Sequence, residues 1–267
     1  MADPTSKSFP ASAATRVPLA LALSGLAGCA DSIGFLEYSQ LFMSFMSGNT
    51  TRFGVSVSQA DWESTARVAS VILVFCFGAF AGTLLAAWVG QWRLPVLLLL
   101  QALLLAGGLV VPYGTFAWPL HAYPIVLALG LQNATLQDEA GRSLALTYVT
   151  GAVVRFGTGL ANLILHKPAP SFWIQAPLWG ALSTGAVVGG LLQNRYGEDA
   201  FLAPAALAGV LAVIALFLTL AKPGSAYVTS EAAPAPDAPA SAPAVGATAS
   251  GVGYDVEIHA APSAQGR

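Results

Sequence analysis

Asp31, Asn49, Thr50 and Arg52 stand close together in an otherwise apolar sequence, and Gln132, Asn133, Thr150 and Arg155 form a second such group about a hundred positions on. An acid held at membrane depth is costly and normally faces a cavity or a partner, so Asp31 is the first functional candidate. Arg52 is its natural partner if the polar segment around it folds back beside the helix that carries Asp31. The corresponding pair in the second group is Asn133 with Arg155, an amide and a base. One uncompensated cation would then remain, suited to an anionic ligand. In this reading Asp31 responds to protons or cations, the arginines pair with it or hold an anion, and the amides of Asn49, Gln132 and Asn133, with Thr50 and Thr150, orient a small solute. Each residue also has a structural use. Asp31 can sit at headgroup level, the arginines can snorkel to an interface, and the amides can hydrogen-bond a neighbouring helix.

These side chains matter because charge is scarce. Of 267 residues, 55% are apolar and only 9% are Asp, Glu, Lys or Arg, with a mean hydropathy of +0.67. Soluble domains carry about 25% charge, so the chain reads as an all-α polytopic membrane bundle. A net charge of −2 gives no basic field for nucleic acid. Cys29 and Cys76 lie in apolar segments, and His121, His166 and His259 are scattered. Neither a metal set nor a catalytic triad follows, and there is no P-loop. No cofactor and no enzymatic activity are expected. A membrane-embedded enzyme would need clustered His, Glu or Asp, and only Asp31 qualifies.

Six stretches are long and apolar enough to cross a bilayer: 17–36, 68–89, 94–111, 119–136, 173–192 and 201–220. The segments 41–58 and 144–165 carry Arg52 and Arg155 and either re-enter or cross, giving six to eight helices. Residues 1–15 and the Ala/Pro-rich stretch 223–267 read as a disordered lead and tail around a membrane domain over 16–222. With six spans, Lys7, Arg16, Arg93, Arg142, Arg155, Lys167, Lys222 and Arg267 share one side against Arg52, Arg67 and Arg195. That imbalance puts both termini in the cytoplasm of a cell whose inner membrane holds the chain, and the eight-span count agrees.

Shifting the chain by 103 residues aligns Leu41-Phe-Met-Ser-Phe-Met-Ser-Gly-Asn-Thr-Thr-Arg-Phe-Gly54 with Leu144-Ala-Leu-Thr-Tyr-Val-Thr-Gly-Ala-Val-Val-Arg-Phe-Gly157, five of 14 pairs being identical. At the same shift Gly82 meets Gly185, and at 102 Asp31 meets Asn133. The bundle therefore reads as two related halves, about 17–112 and 119–221, inverted if each crosses three times and parallel if four. Such halves point to a transporter site at their interface. The apparent lipoprotein box Leu26-Ala-Gly-Cys29 is set aside, because Gly28 and Asp31 have counterparts in a segment that is no signal peptide. The spacings Gly78–Gly82 and Gly185–Gly189 permit close helix contact, within the chain or in a homo-oligomer.

The motifs Ala27-Gly-Cys-Ala-Asp-Ser-Ile-Gly-Phe35, Phe42-Met-Ser-Phe-Met-Ser-Gly-Asn-Thr50, Gly130-Leu-Gln-Asn133 and Tyr148-Val-Thr-Gly151 together resemble the YoaK family of bacterial membrane proteins over residues 19–220. The resemblance implies an integral membrane protein of about six spans with no established substrate. The expected function is permease-like, binding or moving a small solute between the halves in contact with lipid. The rival expectation is a non-transporting scaffold or signalling partner that uses its Gly-rich faces.

Overall fold

The computed structural model describes residues 13–110, 120–135, 149–167 and 172–221, and every regular element among them is helical. The elements are α1 (Ala13–Glu37), α2 (Met46–Ser58), α3 (Trp62–Val89), α4 (Arg93–Val110), α5 (Ala122–Gln132), α6 (Val149–Ile164), α7 (Gln175–Tyr196) and α8 (Leu202–Leu220). Residues 1–12 and 222–267, which take in most of the expected lead and tail, lie outside the described residues, as does the stretch around Asp138, Glu139 and Arg142.

All six apolar stretches contain a helix, but they differ from the expectation of six clear spans. Length and composition suffice for crossing in Val17–Glu37, Trp62–Val110 and Asp199–Leu220, the second of which holds both α3 and α4. Helix α5 has 11 residues, and α7, though 22 long, carries Gln175, Ser183, Thr184, Gln193 and Asn194. The chain reverses between α3 and α4 at Gly90, with φ of 55°, and between α7 and α8 at Gly197, also with φ of 55°. A side chain at either position would be strained, and each glycine opens one 3-10 turn, Gly90–Trp92 and Gly197–Phe201, that leads into the next helix.

Small residues decide how the helices pair. In α1 and α7 a β-carbon on Gly28 would stand 2.1 Å from the Leu182 carbonyl oxygen, and one on Gly185 would stand 2.0 Å from that of Gly25. Backbone lies on backbone there, a contact that lipid-embedded helices use because no hydrophobic force draws them together. The two helices run parallel: Ser24 Oγ donates to the Leu178 carbonyl at 3.1 Å, and Gln193 Nε2 donates to Glu37 at the other end. Helices α3 and α5 are parallel too, with Ser70 meeting Tyr123 at 2.8 Å and Gly82 lying against Leu131.

The contacts of the two pairs correspond. Gly28 faces the Leu182 oxygen and the Ala186 nitrogen, while Gly130 faces the Phe75 oxygen and the Ala79 nitrogen. Gly185 meets Gly25 as Gly78 meets Leu127, and Gly189 meets Cys29 as Gly82 meets Leu131. Gly78 and Gly185 take like places in the two pairs, as do Gly82 and Gly189, four residues from the sequence alignment of Gly82 with Gly185. Four residues are close to one turn, so the helix keeps its buried face under that shift and the sequence pattern alone does not register it.

Helix α4 packs on α8, and the two run in opposite directions: Leu94 and Leu98 cluster with Leu211, Ala212 and Ala215, whereas Leu105 clusters with Ala205 and Ala208. At one end of the bundle Tyr38, after α1, stacks on Phe201 with ring centres 6.1 Å apart and lies 4.7 Å from His121. That end therefore gathers the close of α1 with the starts of α5 and α8. Ser70, near the start of α3, joins it through Tyr123. The outer surface is apolar: Leu73, Phe77, Phe80, Leu84 and Trp88 line one exposed face of α3. Trp62 and Trp88, 68% and 79% exposed, mark its two ends about 39 Å apart, the spacing of interfacial aromatic belts.

Replacing Gly28 or Gly185 with Ala should destabilise the detergent-solubilised protein by about 1–3 kcal/mol, because backbone must move. Gly54→Ala and Gly157→Ala, in α2 and α6 with nothing within 4 Å, should be neutral or stabilise by about 0.5–1 kcal/mol. Thermal unfolding of the four variants measures both, and equal losses at all four sites would refute the packing assignment.

Candidate functional site

Helix α2 starts without a side-chain cap of its own, since Phe45 occupies the cap position. The capping group comes instead from α1. Asp31 Oδ1 accepts from the Ser44 backbone N–H at 2.6 Å and from that of Phe45 at 3.4 Å, and Asp31 Oδ2 accepts from Ser44 Oγ at 2.6 Å. A carboxylate at a helix N-terminus is favoured by the unsatisfied N–H groups there and by the helix dipole. The loop is closed a second time by Asn49, fully buried, whose Nδ2 donates to the Phe42 carbonyl at 2.7 Å while its Oδ1 accepts from the Phe42 N–H at 3.1 Å. Residues 42–45 are therefore tied to α1 by one acid and to α2 by one amide.

Arg52 is not the partner of Asp31. Its guanidinium donates to the Gln40 carbonyl and reaches Gln40 Oε1 at 3.5 Å, so it fastens the other side of the same loop. The expected ion pair gives way because the backbone donors at Ser44 and Phe45 lie nearer the carboxylate and need an acceptor. Thr50 Oγ1 donates to the Met46 carbonyl one turn back, at 2.8 Å and on the exposed side.

The second group is not assembled as expected either. Gln132, buried, accepts from Gln101 Nε2 at 2.6 Å and donates to the Leu23 carbonyl at 3.1 Å, tying α5 to α4 and α1. It is interhelical glue, and the lone Gln101 in the run Leu94–Leu104 was the missed signal for it. Asn133 Nδ2 donates to the Leu129 and Gly130 carbonyls of its own helix, and Arg155 is exposed on α6. Thr147, the counterpart of Ser44, lies outside the described residues. Gly78, Gly82, Gly185 and Gly189, offered as a homo-oligomer face, are occupied by contacts within the chain.

Two of the eight expected residues, Asp31 and Thr150, do line a common cavity of about 620 Å³ between α1, the 42–45 loop, α6 and α7. Ser32 and Ser44 complete its polar side. The rest is apolar: Phe35, Phe42 and Phe45 on one wall, with Val153, Val154 and Leu182 on the other. Sequence reasoning missed the three phenylalanines, although all lie within the two motifs that contain Asp31 and Asn49.

Breaking the cap should be costly. Asp31→Ala strands the Ser44 and Phe45 N–H groups and should lose about 3 kcal/mol or more, Ser44→Ala about 1–2 kcal/mol and Arg52→Ala less than either. Unfolding in detergent, with hydrogen exchange at residues 42–46, checks the order; an Asp31→Ala protein as stable as wild type with unchanged exchange would refute it.

Comparison with known proteins agrees with this picture. Residues 19–214 match the family described as "Protein of unknown function (DUF1275)". The chain is 32% identical over 199 residues to "UPF0700 transmembrane protein RA0705" of Rhizobium meliloti (strain 1021), an alignment covering 74% of this chain and 85% of that protein. No solved structure matches. With its four spaced motifs, its apolar helical bundle and a family match over most of its length, the chain is a membrane protein of the DUF1275 family, the family to which YoaK belongs.

Proposed function

We propose that the protein is a six-span, permease-like protein of the inner membrane that binds or moves a small solute in the cavity between α1, α6 and α7, without enzymatic chemistry of its own. The observation that carries this reading is the cavity itself, which joins Asp31 of the first half to Thr150 of the second. Convergent polar groups in a largely apolar pocket between helices are the usual form of a small-molecule site. One carboxylate and three hydroxyls suit binding better than acid–base catalysis, which needs a second titratable group. The scaffold alternative relied on free Gly-rich faces, and those glycines are engaged within the bundle.

Helix directions support a count of six spans. If α2 and α6 stop short of crossing, α1 and α7 run one way and α3 and α5 the other, with α4 opposite to α8, as the contacts require. If both crossed, α4 and α8 would be parallel; if only one crossed, α1 and α7 would be antiparallel. Three crossings per half make the two halves inverted, and the corresponding glycine contacts support that duplication. The six-span tally of Lys and Arg, eight against three, supports cytoplasmic termini.

A cysteine at Thr150, in a background with Cys29 and Cys76 replaced, should react with a membrane-impermeant maleimide applied from one side, as should one at Ser32. A cysteine at the fully buried Leu97 should not, because thiol alkylation needs water to support the thiolate. Protection of Thr150 from both sides would mean a dry interior and would favour the scaffold.

A further inference from the structure

The reading of the cavity as a solute site can be taken one step further, to the chemical class of the solute. We infer that the α1–α6–α7 cavity selects a lipophilic organic cation, seated with its charge toward Asp31 and its apolar body against the wall formed by Phe35, Phe42 and Phe45. This inference rests on the solute-site reading above.

Charge complementarity is the first support. Asp31 is the acid of the cavity lining, and among the described residues neither Arg nor Lys lines it. Among the described residues the ion pair found is Arg67 with Glu63, at the start of α3, and Arg52 is engaged with Gln40. All three hydrogen bonds to the Asp31 carboxylate are donations from the chain, the shell that an anion collects. The sequence had pointed to an uncompensated cation and an anionic ligand; the cavity presents the reverse.

The aromatic wall is the second support. Phe35 and Phe42 have ring centres 5.0 Å apart, and Phe45 meets Phe42 edge-on at 5.3 Å. Ring faces attract cations through the aromatic quadrupole, most strongly where water is excluded. A neutral apolar molecule would use the same wall without the carboxylate, and an anion would be repelled by it. The 620 Å³ volume takes a body of several ring or chain segments rather than a hydrated inorganic ion.

The test uses the purified full-length protein in detergent micelles with two probes of like shape and opposite charge, tetraphenylphosphonium and tetraphenylborate, measured by equilibrium dialysis against protein-free micelles. Saturable binding of the cation at one site per chain is expected, at least about tenfold tighter than the anion. Asp31→Asn should lose most of that preference. Phe42→Leu, which keeps apolar volume but removes a ring face, should weaken the cation several-fold and leave the anion unchanged. If Asp31→Asn does not fold, as judged by its elution and melting, the Phe42→Leu and Phe35→Leu pair carries the test. Equal or tighter binding of tetraphenylborate overturns the cation class while leaving a solute cavity. Saturable binding of neither probe also overturns it, and the Thr150 cysteine labelling then decides the cavity reading independently.

Discussion

A half-buried carboxylate in a helix bundle surrounded by apolar surface needs hydrogen-bond donors, and Asp31 takes them from the start of the next helix. That demand bends residues 38–45 back along α1, since Ser44 and Phe45 must reach a residue about 9 Å before the helix end at Glu37. From there α2 runs to Ser58, the chain turns at Ala60, and Asp61 caps α3 through the Ser64 N–H. Phe42 and Phe45 are brought beside Phe35 by the same contact. Anchor, short helix and aromatic wall are thus consequences of one interaction.

Much of the architecture was legible because apolar length leaves few choices. A stretch such as Leu94–Val110, with no charge, has to satisfy its backbone internally, and it is helical as expected. The partners of polar groups were harder to read. Opposite charges in sequence suggest pairing, so Arg52 was matched with Asp31, but unsatisfied N–H groups at a helix start compete for a carboxylate and carry no sequence signature when the cap position is Phe45. Gln132 could not be told from a ligand group until Gln101 and the Leu23 carbonyl were seen on either side of it.

The glycine pairs explain why the bundle is knit across its length. Helix α1 packs on α7 and α5 on α3, so the first and last of the described helices are interleaved with those between them. The backbone contacts at Gly28, Gly185 and Gly189 leave no slack on the α7 side of α1. The cavity opens on the neighbouring face, where α6 stands off from α1 and α7 is lined by Leu182 and Ala186. A tight seam beside an open cleft confines the proposed solute site to a place where two sequence-distant segments, 28–45 and 150–154, approach without packing.

The most direct measurement is the sidedness of α2. Single cysteines at Ser39 and Ala60, on either side of α2, and at Gln91, in the turn after α3, can be labelled with a membrane-impermeant maleimide from each face in sealed vesicles. A short, Asp31-anchored α2 requires Ser39 and Ala60 to react from the same face and Gln91 from the opposite one. Reaction of Ser39 and Ala60 from opposite faces would mean that α2 crosses the bilayer, and would contradict the anchored arrangement.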